Sequence, residues 1–469
     1  MDTKKLRQKI LDLAIHGKLV PQDPNDEPAS VLLERIKAEK EDLIKEGKIK
    51  RSKKSAKTSD TPHYENVPFE VPDNWVWTIV GEVGEVITGS TPSKDIAEYY
   101  GGDIPFYKPT DLDLGINTNS ASDTLTIEGY NLSRKLPVGS ILVTCIGATI
   151  GKTGLISTEG ACNQQINAII PSSLITSTFL YYSCISEYFQ KEIRNHASAT
   201  TLPILNKNNF TKLLIPLPPL SEQQRIVKEI ERWFALIGQI EQDKVDLQTI
   251  IKQTKSKILD LAIHGKLVPQ DPNDEPAIEL LKRINPNFTP CDNGHYPIGW
   301  IKTILGELFS HNTGKALNSS NKEGIFKDYL TTSNVYWNKF DFTVIKQMPF
   351  KEGELDKCTV TKGDLLVCEG GDIGRSAIWN FDYDICIQNH IHRLRPKIDL
   401  CVPFYYYTFA YLKENNLIGG KGIGLLGLSS NALHKIELPL PPLAEQQRIV
   451  QKIEELFSVL DNIQKAIEV

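Results

Sequence analysis

The strongest constraint on the fold of this chain is a stretch of sequence that occurs twice. Residues 9–29 read KILDLAIHGKLVPQDPNDEPA, and residues 257–277 repeat all 21 letters without a change. A second pair, PLPPLSEQQRIV at 216–227 and PLPPLAEQQRIV at 439–450, differs at Ser221 against Ala444. The copies lie 248 and 223 residues apart, whereas solenoid repeats recur every 20 to 50 residues or so. The sequence therefore predicts two duplicated, domain-sized units.

The order of the repeated stretches indicates a cyclic plan. In the middle of the chain, residues 216–227 lead without a break into 257–277. At the ends the same joint is cut, because the C-terminus carries its first half (439–469) and the N-terminus its second half (1–29). Joining tail to head would rebuild the central stretch. We therefore expect a pseudo-twofold molecule in which each half has one globular unit and one helical arm.

Composition places the chain among ordinary globular proteins with room for two or three domains: 469 residues, 40% hydrophobic and 24% charged. There is no apolar run near 18 residues, so no membrane span is expected. The N-terminus reads as an amphipathic helix rather than a signal peptide, which favours a cytoplasmic protein. Eight cysteines without a CxxC pair indicate reduced, buried residues rather than a disulfide or zinc framework.

Charge does not by itself predict a nucleic-acid partner. The net charge is −5, residues 66–215 contain 9 basic and 14 acidic side chains, and residues 291–437 contain 16 of each. A nucleic-acid-binding domain usually shows a basic excess on one face. Any DNA contact must therefore come from local basic and amide groups.

The N-terminal arm is predicted to be two helices followed by a linker. The first helix spans about residues 3–16 and ends at Gly17, with Pro21 beyond it. The second begins at Pro28. Residues 45–57, KEGKIKRSKKSAK, are basic and poor in large apolar residues, which is typical of a flexible arm.

Two globular units share a frame of matching segments. Residues 72–83 match 297–308, aligning Trp75 with Trp300, and the apolar strand 139–143 matches 363–367. The letters between them diverge, as expected when one scaffold carries different binding loops. Short β-branched strands mixed with helices such as 178–196 and 403–413 predict an α+β fold.

Long helices are predicted to form the arms. Ser221 and Gln224 suggest a capping box behind Pro218 and Pro219, and the helix should span 222–264, about 65 Å at 1.5 Å per residue. Apolar residues then follow alternating steps of four and three, which is the coiled-coil pattern. The predicted seam comprises Ile226, Ile230, Trp233, Ile237, Ile240, Leu247, Ile251 and Ile258 on the central helix, Ile449, Ile453, Leu456 and Leu460 on the C-terminal helix, and Leu6, Ile10 and Leu13 on the N-terminal helix.

The seam of the central helix needs a partner. The matching seams in this chain are those of its terminal helices, so we expect antiparallel packing of the central helix against both termini. The alternative is a coiled coil with another chain.

One glycine-rich stretch resembles part of a phosphate-binding loop. Residues 147–153 read GATIGKT, with three residues between the glycines where a P-loop has four, and strand-like rather than helical letters follow. The second unit has GGDIGRS at 370–376. We interpret both as glycine turns that present one basic residue each, Lys152 and Arg375. His390 and His392 alternate and should face one side of a strand, as contact residues rather than a metal site.

The repeated IHGKLVPQ and PLPPLxEQQRIV stretches, each flanking a variable unit, closely resemble the specificity subunit of type I restriction–modification systems. The resemblance covers essentially the whole chain. It implies two target recognition domains that each read one half of a split double-stranded DNA site, with the arms fixing the gap. It implies two methyltransferase subunits and motor-nuclease subunits as partners, which would bind S-adenosylmethionine, ATP and Mg²⁺, so this chain needs no cofactor or metal and is not itself an enzyme.

The segments expected under this resemblance are 1–60 (N-terminal arm and linker), 61–216 (first recognition domain), 217–288 (central helix and turn), 289–438 (second recognition domain) and 439–469 (C-terminal helix). Amide side chains read adenine edges, and Arg or Lys reads guanine. The candidate DNA-contacting residues are Ser90, Thr91, Lys94, Lys108, Thr149, Lys152, Asn163, Gln164 and Gln165 in the first domain and Lys315, Asn318, Arg375, Gln388, Asn389 and His390 in the second. For 163–165 and 388–390, a role in holding the local fold is an equal alternative.

Two other classes of function compete with this one. The chain could be a coiled-coil scaffold whose globular ends bind proteins or sugars, which a lack of DNA affinity would favour. It could also be a nucleotide-dependent enzyme that uses residues 147–153, which ATP binding by the isolated chain would favour.

Overall fold

The computed structural model describes residues 2–49, 67–198, 202–289, 296–317, 323–418 and 428–468. The predicted linker beyond residue 49 and Asn318 lie outside these residues. The chain divides into unit 1 (Met1–Asp243) and unit 2 (Lys244–Val469), and each is described by itself. Within the described ranges, no helix is both long and apolar enough to cross a membrane.

Fourteen α-helices are found in the described part of the chain. They are α1 (Thr3–Ile15), α2 (Ala29–Lys45), α3 (Val80–Val83), α4 (Ile127–Leu132), α5 (Ser177–Ile185), α6 (Glu187–Asn195), α7 (Lys207–Thr211), α8 (Leu220–Ile263), α9 (Ala277–Lys282), α10 (Leu305–Leu308), α11 (Glu352–Cys358), α12 (Val402–Glu414), α13 (Ser430–His434) and α14 (Leu443–Glu468). Short 3-10 helices span Ala97–Tyr99, Asp111–Asn117 and Thr332–Asn334.

The strands are short. Unit 1 contains β1 (Val76–Ile79), β2 (Gly84–Thr88), β3 (Tyr100–Tyr107), β4 (Asp123–Leu125), β5 (Ile141–Thr144), β6 (Thr153–Leu155), β7 (Ala161–Cys162), β8 (Ile166–Pro171) and β9 (Leu214–Leu217). Unit 2 contains β10 (Ile301–Ile304), β11 (Phe309–Thr313), β12 (Ile325–Leu330), β13 (Val335–Tyr336), β14 (Lys339–Phe340), β15 (Lys346–Phe350), β16 (Thr359–Val360), β17 (Leu365–Cys368), β18 (Ser376–Ile378), β19 (Ile385–Ile387), β20 (Ile391–Pro396) and β21 (Glu437–Leu440).

The two units share one topology, to which unit 2 adds a fourth strand in its second sheet, β16, and the separate pair β13-β14. Unit 1 has an antiparallel sheet of order β2-β8-β5-β6, a second sheet β4-β3-β7, and the pair β1-β9. Unit 2 has the corresponding sheets β11-β20-β17-β18 and β15-β12-β19-β16, and the pair β10-β21. The strands β5 and β17 are buried along their whole length, as their uninterrupted apolar letters require. The predicted α+β class is confirmed.

Helix α1 packs antiparallel against the first part of α8 in unit 1. The guanidinium of Arg7 contacts Glu241 (2.9 Å) and lies over the ring of Phe234, whereas Gln22, further along the chain, reaches Glu222. The buried face of α1 joins the core of the globular part. The predicted packing of the N-terminal helix on the central helix is therefore confirmed within unit 1.

Unit 2 repeats this packing with α14 and the last part of α8. Lys255 contacts Asp461 (2.5 Å) and lies over Phe457, and Gln270 reaches Glu445. These pairs run in opposite chain directions, so the two helices are antiparallel.

The predicted seam is correct at most positions and wrong at three. Ile226, Ile230, Ile237, Ile251, Ile258, Ile449, Ile453 and Ile10 are buried, and Leu6, Leu13, Leu456 and Leu460 are half-buried. Trp233, Ile240 and Leu247 are each 37% exposed.

The seam drifts because a straight helix does not keep a strict heptad. Phe234 packs on the core in place of Trp233, so the inward steps from Ile226 are four, four and three. This is the 11-residue pattern of a nearly straight helix. Beyond residue 241, α1 no longer covers α8, because its first turn already lies opposite Glu241.

Two helix ends differ from prediction. The expected helix 178–196 is two helices, α5 and α6, because Ser186 adopts an extended conformation and its hydroxyl caps the amide of Phe189. The hydroxyl of Ser221 makes no capping box and instead donates to Asp26 (2.5 Å). Helix α8 begins two residues earlier than predicted, at Leu220, and ends one residue earlier, at Ile263.

Candidate nucleic-acid interface

The repeated letters meet in a junction between arm and globular unit. In unit 1, the buried carboxylate of Glu222 accepts hydrogen bonds from the indole of Trp75 (2.9 Å) and the amide of Gln22 (2.6 Å). Burial raises the pKa of Glu222, although both hydrogen bonds favour its charged form.

The junction of unit 2 makes the same contacts. Glu445 accepts from Trp300 (2.8 Å) and Gln270 (2.5 Å), and burial again raises its pKa. Helix α8 or α14 is thereby bonded both to the repeated arm segment and to the tryptophan that immediately precedes the first strand of its globular unit, β1 or β10. The identical letters therefore fix the place where each arm joins its unit.

An ion pair flanks each carboxylate. Arg225 binds Asp26 (2.6 Å), and Arg448 binds Asp274 (2.6 Å). The hydrogen bond from Arg225 holds the pKa of Asp26 below its usual value. This ion pair explains why both copies have an arginine at the end of EQQR and an aspartate at the end of PQDPND.

Glycine is required where the arm turns into the unit. Gly17 and Gly265 both have φ of +66°, and a Cβ there would lie 2.4 Å from a ring carbon of Pro72 or Pro297. A side chain would meet both backbone strain and a steric clash. The predicted C-terminal glycine cap thus also leaves space for a proline, Pro72 or Pro297, to pack against the end of the helix.

The two glycine-rich stretches form hairpin turns. Residues 145–152 connect β5 to β6, and residues 369–375 connect β17 to β18. Corresponding backbone bonds close them, from Thr144 to Lys152 and from Cys368 to Arg375. A strand follows each turn, not a helix. The predicted glycine turn is confirmed, and the geometry is not that of a P-loop.

The amide-rich stretches form the turns from β7 to β8 and from β19 to β20. Asn163 and Gln388 occupy matching positions, because their backbone N–H groups donate to the carbonyls of Tyr107 and Leu330 respectively. The predicted correspondence of 163–165 with 388–390 is confirmed. We refer to these two segments as the amide turns.

Each amide turn lies against the glycine hairpin and a third loop. The carbonyl of Gln165 accepts from Cys145 (2.7 Å), and that of His390 accepts from Glu369 (2.9 Å). The third loop is the segment that follows β2 in unit 1 and β11 in unit 2. A Cβ on Gly89 would lie 2.1 Å from the carbonyl oxygen of Asn163, and a Cβ on Gly314 would lie 2.5 Å from that of Gln388. The sequence-predicted segments therefore converge in each unit.

The candidate side chains of unit 1 differ in availability. Lys94, Thr149 and Gln164 are exposed, and Ser90, Thr91, Lys108, Lys152, Asn163 and Gln165 are half-buried. Thr91 donates to the amide oxygen of Gln164 (2.5 Å), which orients an exposed amide. Asn163 bonds to Gln165 (2.9 Å), so this pair also stabilises the turn.

Two of the three candidate cations of unit 1, Lys108 and Lys152, are paired with carboxylates of the protein. Lys108 contacts Asp123, and Lys152 contacts Asp113 of the 3-10 helix 111–117 (2.6 Å). Lys94 lies beside Asp123 and Tyr100 on the lining of a 480 Å³ cavity. Neutralised cations fit the low net charge of the unit.

In unit 2, Arg375 donates to the carbonyl of Thr332 and lies over the ring of Tyr336, 5.0 Å from its centroid. The side chain of Lys315 is only 9% exposed and contacts Glu354 (2.6 Å). This placement favours a role in stabilising the loop after β11 over a direct contact with DNA. Gln388 and Asn389 are half-buried and His390 is exposed.

The prediction that His390 and His392 face one side of a strand is wrong. His390 precedes β20 and is exposed near Glu369 (3.4 Å), whereas His392 is fully buried and its ring bonds to His311 (2.8 Å). The backbone changes direction at the amide turn, so period-two alternation does not apply there. Among the described residues, no group of three or more His, Cys, Asp or Glu side chains could hold a metal.

Two buried polar residues lie beneath the amide turns: Asn167 on β8, which the sequence analysis did not single out, and His392 on β20, for which it predicted a contact role. They hydrogen bond to the carbonyls of Leu205 (3.2 Å) and Leu428 (2.8 Å). The spacing contained the signal. Asn163 and Gln388 are 225 residues apart, and the same offset aligns Asn167 with His392.

Comparison with known proteins agrees with this two-unit arrangement. A family model described as "Type I restriction modification DNA specificity domain" matches residues 72–247 and 297–469. The EcoAI specificity subunit of Escherichia coli is 26% identical, over 99% of this chain and 90% of the relative. The HindI specificity subunit of Haemophilus influenzae is 37% identical, over 32% of this chain and 33% of the relative.

Solved structures show the same fold. The HsdS subunit from Thermoanaerobacter tengcongensis matches with a TM-score of 0.55 at 19% identity, covering 85% of this chain and 93% of that one. A chain from a structural study of type I R-M complex assembly and conformational transition matches with a TM-score of 0.56 at 19% identity, covering 86% and 94%.

Proposed function

We propose, because this chain belongs to the type I restriction modification DNA specificity family, that each of its units reads one half of a bipartite DNA target. The role of the chain is DNA sequence recognition in such a system. The comparisons give no support to the alternative of a scaffold that does not act on DNA. The proposed recognition domains keep the predicted bounds, 61–216 and 289–438.

The observation that carries this proposal is the convergence of three loops in each unit on one frame. The backbone bonds between the loops are the same in both units, while the side chains differ. A shared frame with different side chains is what two readers of different half-sequences require, because base edges are discriminated by side-chain donors and acceptors.

Exposure and residue type favour particular readers. We assign base reading to Gln164 in unit 1, whose exposed amide is oriented by Thr91, and to His390 in unit 2, whose side chain is 55% exposed. Thr149 and Lys94 are placed as exposed phosphate contacts, and Lys152 and Arg375 as residues that exchange their protein partners for DNA. Asn163 and Lys315 position the loops that carry these residues.

The proposed partners are double-stranded DNA, two methyltransferase subunits and motor-nuclease subunits. The curated relatives are specificity subunits, so methylation and ATP-dependent cleavage are assigned to those partners and not to this chain. The proposed docking surface for the methyltransferases is formed by the arms. The exposed apolar residues Trp233, Ile240 and Leu247 on α8 support it.

Methylation mapping tests the proposal. Genomic DNA from cells that express this chain with its methyltransferase partner is sequenced for methylated bases. We expect one motif with two specific half-sequences separated by a gap of fixed length. A continuous motif, or a motif unchanged when the chain is omitted, would contradict the proposal.

The arms are proposed to set that gap. Seven residues inserted after Leu247 lengthen α8 by about 10 Å, roughly three base pairs of DNA rise. A matching insertion after Ile463 keeps the helices paired. We expect a changed gap with both half-sequences retained, and an unchanged gap would exclude a spacing role for the arms.

A further inference from the structure

Beneath each amide turn runs a chain of three hydrogen bonds, which we call the relay. In unit 1, the Asn167 amide donates to the carbonyl of Leu205 (3.2 Å), the Leu205 N–H to Cys145 (2.8 Å), and the Cys145 N–H to Gln165 (2.7 Å). The relay thus begins at a buried side chain on β8 and ends at the amide turn.

Unit 2 contains the same relay with one chemical change. His392 bonds through Nε2 to the carbonyl of Leu428 (2.8 Å), the Leu428 N–H donates to Glu369 (3.1 Å), and the Glu369 N–H donates to His390 (2.9 Å). An imidazole occupies the place of an amide. Both side chains are buried, Asn167 at 2% and His392 at 0% exposure.

Each starting side chain is itself held by the neighbouring strand. Thr88 on β2 donates to the Asn167 oxygen (2.6 Å), whereas His311 on β11 bonds through Nε2 to His392 Nδ1 (2.8 Å). An amide and a hydroxyl do not titrate near neutral pH, but two imidazoles do.

We propose that Asn167 and His392 are positioning residues for DNA reading, each fixing the amide turn of its unit through the relay. We further infer that the histidine makes recognition of the second half-site, and not of the first, weaken at acidic pH. This inference rests on the proposed function.

The surroundings of the histidine pair determine the direction of the pH effect. The ring centroids of His434 on α13 and His311 are 5.0 Å apart, Arg393 follows His392 on β20, and Glu369 is the first residue of the hairpin turn 369–375. Burial, followed by the charges of His392, His434 and Arg393, lowers the pKa of His311 to about 4. Burial also lowers the pKa of His392, against the opposing effects of the Leu428 carbonyl and Glu369.

The relay weakens at acidic pH because its closed form, with all three hydrogen bonds made, binds protons less readily than an open form in which the bonds are broken. In an opened relay both rings regain an ordinary pKa near 6.5, whereas the closed relay disfavours the proton. Above about pH 6.5 both forms are neutral and the closed relay keeps its full stability. As the pH falls from there towards 4, the open form takes up protons that the closed form does not, so the relay weakens.

The test uses the full chain in complex with its methyltransferase partner and three fluorescent duplexes. One carries the mapped target, and the others have the first or the second half-sequence scrambled. Binding ratios are measured from pH 7.5 to 5.5. For the wild type we expect discrimination of the second half to fall about tenfold, and that of the first half to stay constant.

Matched variants separate positioning from folding. His392→Ala should reduce discrimination of the second half about tenfold at pH 7.5, and Asn167→Ala that of the first half. The double variant His392→Asn with His311→Thr, which copies Asn167 and Thr88 of unit 1, should keep discrimination at pH 7.5 and abolish its pH dependence. If His392→Ala does not fold, the double variant decides the question.

The proposal would be overturned by unaltered discrimination in His392→Ala, by equal loss at both halves, or by a pH dependence that persists in the double variant. Hydrogen exchange of the backbone N–H groups of Glu369 and Leu428 tests the relay without DNA. The measured quantity is the protection of each group relative to the exchange rate of a free peptide. Protection that is independent of pH would also contradict it. A wild-type complex that discriminates neither half at any pH would instead contradict the proposed function, with the exchange result still valid.

Discussion

The two units resemble each other both at their junctions and at the three loops that meet at each amide turn, but the resemblance has a different cause at each place. At the junctions, repeated letters make repeated side-chain contacts, so Trp75, Glu222 and Gln22 reappear as Trp300, Glu445 and Gln270. At the loops, the letters differ and only the backbone bonds recur. Identity of sequence is therefore needed where side chains determine the architecture, and it is dispensable where backbone bonds do.

The largest expected effect breaks a junction. Trp75→Ala should destabilise unit 1, and Trp300→Ala unit 2, by about 3–5 kcal/mol, because each tryptophan is buried and bonded to the buried glutamate. Hydrogen exchange resolved by unit measures this effect. Ile298, which is 99% exposed, provides the control. Its change to Ala should cost less than about 0.5 kcal/mol.

Equal loss in both units from one tryptophan variant would contradict the comparison, because each junction would then not serve its own unit.

The sequence showed which junction residues are repeated but not which contacts they make. Glu222 and Asp26 lie within repeated stretches, but no periodicity shows that a glutamate on a helix faces a tryptophan 147 residues earlier. Seam positions near Ile226 were predictable because consecutive apolar steps define a face. Trp233 was wrongly included because 3.5 and 3.6 residues per turn diverge along a long helix.

A loop variant should affect one half-site and leave both junctions intact. Arg375→Ala should reduce affinity by about 1–3 kcal/mol and change the second half-sequence if the guanidinium reads a base. Lys152→Ala should weaken binding to all sequences alike and lower the salt slope by about one if the ammonium binds phosphate. Binding titrations at several salt concentrations with the mapped target separate the two outcomes.

Wild-type affinity, salt slope and methylation pattern in both variants would mean that Asp113 and Thr332 retain these cations, and the assignment would be abandoned.

The junction ion pairs allow a symmetric test of smaller size. Asp26→Ala and Asp274→Ala should each cost about 1 kcal/mol, since the arginines they leave are about one-third exposed and can reach water. Ser221→Ala removes the one hydrogen bond that unit 2 lacks at Ala444 and should cost about 0.5 kcal/mol. Urea unfolding of the variants provides the values, and a cost confined to only one of the two aspartate variants would show that the junctions are not equivalent.

The smallest effect concerns pH at the junction. Burial raises the pKa of Glu222 and Glu445 above the unfolded value, so their contribution to stability is complete below pH 4.5 and declines as pH rises through the folded pKa. Glu222→Gln should flatten this decline for unit 1 alone. Unfolding titrations between pH 4 and 8 measure the slope, and an unchanged slope would place the titration elsewhere.

The relay lay beyond sequence reasoning for a physical reason. Two of its three bonds join backbone groups, which no side-chain pattern reveals. Its starting residues are Asn in one unit and His in the other, so they do not read as a repeat. The amide turns were predictable because their amide-rich letters stand between strands at matching positions.

The central claim is that each unit reads its own half-sequence with its own amide turn on a shared frame. Its most direct test exchanges the turn of unit 2 for that of unit 1, through Gln388→Asn, Asn389→Gln and His390→Gln together, followed by methylation sequencing with the partner subunit. We predict a changed or relaxed second half-sequence, with the first half-sequence and the gap unchanged. A methylation pattern altered in both halves, or in neither, would contradict the claim.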